Sequence, residues 1–149
     1  MVKILSKAYG TIEIDPKQIV NFPEGLFAFE DFKKYAIVTK PDSMFSWLQS
    51  LDDVNLAFLV IDPTEIVSDY EPRVAAEFLT TIEASEVKAL KMLSILTIPE
   101  NQPEKMTMNL QGPLLINAEK AVGAQVVSAD DRHLVKTPVF ELLQKGESA

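Results

Sequence analysis

Short apolar runs separated by turn residues fill the first half of the chain, and their spacing predicts a strand-dominated domain. Thr11-Ile12-Glu13-Ile14 alternates polar and apolar positions, as a half-buried strand does. Ile19 to Phe22 stops at Pro23-Glu24-Gly25, where proline fixes φ and glycine admits a positive φ, so a turn is predicted there. A short helical turn is expected around Glu30 to Lys34. The β-branched run Tyr35-Ala36-Ile37-Val38-Thr39 ends at Lys40-Pro41-Asp42-Ser43, and Met44 to Leu51 follows with Phe45, Trp47 and Leu48. Leu56-Ala57-Phe58-Leu59-Val60-Ile61 is the longest unbroken apolar run; it ends at Asp62-Pro63 and reads as a buried strand.

From Asp69 to Lys91 the period changes. Val74, Phe78, Leu79 and Ile82 recur three or four apart, and Ala75 and Ala76 favour helix, so a helix is predicted, with a second short turn starting at the potential N-cap Ser85. Strand character returns at Met92 to Ile98 and stops at Pro99. The polar loop Asn101-Gln102-Pro103-Glu104-Lys105 then leads into Thr107-Met108-Asn109-Leu110-Gln111-Gly112-Pro113-Leu114-Leu115-Ile116-Asn117, and the two segments are expected to pair as a hairpin. In the second segment amide side chains alternate with large apolar ones around a Gly-Pro break, which suits fixed hydrogen bonding without ionisation. Gln125-Val126-Val127 and Leu134-Val135 are the remaining apolar stretches. The expected organisation is one domain over 1–144 with a flexible tail at 145–149.

Composition narrows the functional classes. With 149 residues, 47% of them apolar, the chain has enough material for one real core. No apolar run approaches the roughly 20 residues that span a bilayer, and Met1 to Lys7 lacks the apolar region of a secretory signal. The absence of cysteine removes disulfide and thiolate chemistry and fits a cytoplasmic location. A net charge of −8 argues against direct nucleic-acid binding and suits a basic protein partner. Between Asp62 and Glu86 seven acids stand against Arg73 alone, so this stretch carries −6.

Catalytic and cofactor signatures are weak. The single histidine, His133, is expected as a solvent-exposed turn residue rather than a ligand, and no serine lies in a nucleophile turn. The five glycines form no phosphate-cradling loop, and the pairs Glu30-Asp31, Asp52-Asp53 and Asp130-Asp131 fall in polar turns that favour solvated acids. The expectation is a protein without enzymatic activity, metal or cofactor.

Four stretches carry a resemblance. They are Ile19 to Glu30, Phe45 to Leu51, Leu56 to Pro63 with Tyr70 after it, and Thr107 to Asn117 continued by Ala124-Gln125-Val126-Val127. In this order they resemble the bacterial flagellar assembly factor FliW family, from about Gly10 to Phe140; Ala28 stands where that family often has glycine. The resemblance implies a mainly β, single-domain, β-barrel-like fold of short, mostly antiparallel strands with one or two short helices. It also implies a cytoplasmic partner switch, monomeric when free: the protein binds flagellin and antagonises CsrA, the RNA-binding repressor of flagellin translation. Glu65, Asp69, Glu71, Glu77 and Glu83 are then candidates for CsrA contact, because CsrA is basic where it meets RNA. Phe27, Phe29, Asn109 and Gln111 are candidates for seating an amphipathic flagellin helix. A general secretion chaperone or holdase without a regulator partner is the alternative; it would need a larger exposed apolar patch.

Overall fold

The computed structural model describes residues 1–39 and 41–148, with side chains described through 143. Its strands are β1 (Val2–Ser6), β2 (Gly10–Ile14), β3 (Ile19–Asn21), β4 (Lys34–Thr39), β5 (Phe45–Ser50), β6 (Ala57–Ile61), β7 (Lys91–Thr97), β8 (Thr107–Met108), β9 (Leu114–Asn117), β10 (Val122–Gln125) and β11 (Thr137–Pro138). Two short helices are α1 (Ala76–Thr81) and α2 (Val139–Ser148). Seven strands in the order β7-β6-β5-β4-β3-β10-β9 close on themselves through β7–β9 pairing, so the sheet is a barrel. Every contact around it is antiparallel except β3–β10, which meets in parallel at one rung, Val122 with Asn21.

Alternation along the strands sorts the apolar residues into one interior and three outer layers. Val20, Tyr35, Ile37, Leu48, Val60, Leu93, Leu114 and Ile116 fill the barrel. Within β4 the run Tyr35 to Val38 is apolar throughout because its other face is covered as well: Ala36 and Val38 pack under Ile4 and Ile14 of the separate β1–β2 hairpin, beside Trp47. Ile61, Met108 and Val139 join a second outer layer with Tyr70. Leu115, Ala124 and Val126 form the third with Ile82.

The predicted hairpin is present, with Leu96 opposite Met108 and Thr97 opposite Thr107. The later part of the same segment returns to β7 as β9, pairing Met92 with Leu115. Thr107 to Asn117 is therefore one interrupted strand along β7, with a turn projecting at 109–113.

Three local expectations need correction. Residues 30–34 do not form a helical turn; a tight turn is closed by Phe29 N donating to Leu26 O at 2.8 Å, and Lys34 already begins β4. The predicted helix over 69–91 shrinks to α1 and a 3-10 turn at Val87–Ala89, because Pro72 precedes it and Glu83 takes a φ of 57° just after it. That turn is capped by Glu86, not Ser85, and without a side-chain hydrogen bond. Helix α2 had no counterpart in the sequence pattern. The side chains of the expected tail, 145–149, lie outside the described residues.

Candidate functional site

After β6 the chain is held by its own side chains. Asp62 Oδ1 accepts Thr64 N at 2.9 Å and the Thr64 hydroxyl at 2.6 Å, starting a 3-10 turn at Pro63–Glu65. Tyr70 turns inward and donates its hydroxyl to Leu110 O at 2.6 Å, so its neighbours Asp69 and Glu71 point to solvent. Pro72 is buried, and Arg73 N donates to Ser128 Oγ at 3.1 Å. The result is a pinned ridge with acids on its crest. Asp69 and Glu71 border two clefts, of about 560 and 240 Å³, one on each side of it.

All five acidic candidates are exposed, and none makes an ion pair among the described residues. The structure brings Asp69 and Glu71 together on the ridge, with Glu65 earlier on the same connection. Glu77 lies on α1, and Glu83 follows it beside a separate cleft shared with Asn117 and Glu119. Opposite the ridge, Arg132 grips Asp130 through Nε and Nη2, at 3.0 and 2.6 Å, and its guanidinium holds the Asp130 carboxyl well below the usual carboxylate range.

His133 is not the exposed turn residue expected from the sequence. Its side chain is only 10% exposed, and its ring lies 4.6 Å from that of Tyr70. Nδ1 is 2.7 Å from the Ser128 hydroxyl, and Nε2 faces Asp130 at 3.9 Å. Ser128 Oγ also accepts the Arg73 and Asp130 backbone amides, at 3.1 and 3.4 Å. Serine, histidine and aspartate thus meet to fasten the 128–133 loop to residue 73. Ser128 is itself buried, at 3% exposure.

The second candidate region joins two turns. Phe27 is 49% exposed, whereas Phe29 packs edge-on against Phe58 with ring centroids 5.3 Å apart. Asn109 Oδ1 accepts Gly112 N at 2.8 Å, so this oxygen is engaged inside its own turn; Gln111 is exposed. Buried Gln125 links the two regions: its Oε1 accepts Phe27 N at 2.8 Å, and its Nε2 donates to Gly112 O at 3.0 Å. Strand periodicity marked Gln125 only as a strand residue. An amide facing inward among apolar neighbours was the available signal.

Burial also sets a pH dependence. Desolvation pushes the Tyr35 hydroxyl up to about 12 and raises that of Tyr70 as well. Each group favours its neutral form when folded, so its contribution is complete below the unfolded value near 10 and is lost as pH rises through the folded value. The melting temperature is expected to fall from pH 10 to 12, and less steeply in Tyr35→Phe. At neutral pH Tyr35→Phe should be close to neutral or stabilising, because this buried hydroxyl has no hydrogen-bond partner among the described residues. Thermal melts across that range check both expectations.

The fold defines the class of molecule: a small, closed, mainly antiparallel β-barrel wrapped by a hairpin and two short helices, with an acidic ridge along one flank. The model of the FliW protein family matches residues 3–139, and the chain belongs to that family. It is 40% identical over 141 residues to the flagellar assembly factor FliW of Leptospira interrogans, covering 94% of both chains. Against the flagellar assembly factor FliW of Treponema denticola it is 42% identical over 139 residues, covering 93% of this chain and 94% of the other. A crystal structure of the flagellar assembly factor FliW superposes with a TM-score of 0.82 at 30% identity, covering 93% of this chain and 97% of that one.

Proposed function

We propose that this protein is a cytoplasmic, non-catalytic flagellar assembly factor that binds flagellin and also binds and antagonises CsrA, coupling flagellin synthesis to export. Family membership supports the assembly role. The observation that carries the CsrA part is the pinned ridge. Asp69 and Glu71 are exposed and free of ion pairs among the described residues, in a chain of net charge −8. Acids held by a rigid backbone attract a basic partner without first giving up a salt bridge, and the surrounding field speeds encounter. The Phe27 turn, with Phe29, Asn109 and Gln111 beside it, is the proposed flagellin seat, where an amphipathic helix would lay its apolar face. The free protein is taken as a monomer that contacts neither nucleic acid nor membrane.

The test is a titration of CsrA at low salt against the wild type and Asp69→Lys/Glu71→Lys. Two reversed charges are expected to weaken affinity by about tenfold or more, with the difference shrinking as salt rises. Unchanged affinity would remove the ridge from the interface. A companion pull-down, in which flagellin and CsrA each compete for the protein, tests the switch itself. Failure of flagellin to displace CsrA, and of CsrA to displace flagellin, would refute it.

A further inference from the structure

One end of the barrel is more loosely closed than the rest. β3 and β10 share a single rung, supported by Asn21 N donating to Ala121 O at 3.0 Å. Beside this seam lies a cavity of about 150 Å³. Its floor is Val20, Ile37 and Ile116, each more than nine-tenths buried and part of the barrel interior. Its rim carries Lys17 and Lys91, and no acidic residue among the described residues lines it.

Both cations are anchored through the backbone. Lys91 stands directly opposite Ile116 in the β7–β9 register. Lys17 sits in the 3-10 turn before β3, which the Asp15 and Gln18 side chains close as a capping box. Gln18 Nε2 also donates to Ile37 O at 2.8 Å, tying that turn to the cavity floor. Neither lysine makes an ion pair among the described residues. In a chain with net charge −8, a rim bearing only positive charge over an apolar floor is the complement of an amphiphilic anion. Size sets the tail, since an apolar cavity near 150 Å³ accepts a guest of about six carbons.

We propose that this barrel mouth binds a small aliphatic monocarboxylate, with its tail on Val20, Ile37 and Ile116 and its carboxylate between Lys17 and Lys91. The cavity contains none of the residues proposed to contact CsrA or flagellin, although Ala118 on its edge also lines the cleft beside Glu83. The probe is sodium hexanoate, titrated into methyl-labelled full-length protein and followed by NMR. Saturable shifts are expected at the Val20, Ile37 and Ile116 methyls. Affinity should fall by about tenfold in Lys17→Glu/Lys91→Glu, and hexanol, which lacks the charge, should bind weaker by a similar factor. Ala118→Phe, at the exposed edge of the cavity, should abolish the methyl shifts while the amide spectrum elsewhere stays that of the folded wild type. Unsaturable shifts spread over the surface, equal binding of hexanol, or charge reversal without effect would each overturn the proposal.

Discussion

Replacing Gly25 with alanine is expected to destabilise the protein by roughly 2 to 5 kcal/mol, the sum of backbone strain and overpacking. Gly25 has a φ of 67°, where a side chain is disfavoured. A Cβ there would also stand 2.5 Å from Glu30 Cα and 2.6 Å from Glu30 O. Those are backbone atoms of the same tight turn, so no rotamer change relieves the contact. Three residues on, Ala28 occupies the same region with a φ of 71°, although it carries a side chain. Ala28→Gly should therefore move stability the other way, by about 0.5 to 1 kcal/mol, because relief of left-handed strain exceeds glycine's extra unfolded entropy. Urea unfolding midpoints of the two variants check both signs. A Gly25→Ala protein as stable as wild type would mean that the turn relaxes easily, and the Phe27 surface would lose its rigid base.

The strands were legible because the period of two survives wherever one face meets the core. β4 shows where that signal saturates. Tyr35 to Val38 is apolar throughout, and only the β1–β2 hairpin packed outside it explains Ala36 and Val38. The helical spacing of Val74, Phe78, Leu79 and Ile82 identified a true apolar face, since all four lie in the outer layer against Leu115 and Val126. Its length was not legible, because backbone breaks at Pro72 and Glu83 decide it. The acids of the ridge could be read from charge counting. The gathering of Asp69 and Glu71 on a ridge apart from Glu77 on α1 and Glu83 after it could not, because it depends on Tyr70 reaching Leu110 across 40 positions. His133 escaped for a similar reason: its partners Tyr70 and Ser128 come from a distant loop and from a serine in no recognisable motif.

Gln125→Met should give the second large effect. Methionine keeps the volume but neither hydrogen bond, leaving Phe27 N and Gly112 O without their partner. Two orphaned backbone groups correspond to roughly 2 to 4 kcal/mol, and the loss should appear in the urea midpoint. The local consequence is more selective than the global one. Phe27 N has Gln125 as its hydrogen-bond acceptor, so amide exchange at Phe27 should accelerate strongly. Gly112 N, held by Asn109, should change less. On the proposed division of surfaces, flagellin affinity falls because the aromatic turn is no longer held. CsrA affinity should fall less, since the ridge is pinned by Tyr70 to Leu110 and by Arg73 to Ser128 and makes no hydrogen bond to the Gln125 side chain itself. Equal loss of both partners in a variant that remains folded would show instead that the two proteins share one surface, and that the partner switch works by direct exclusion.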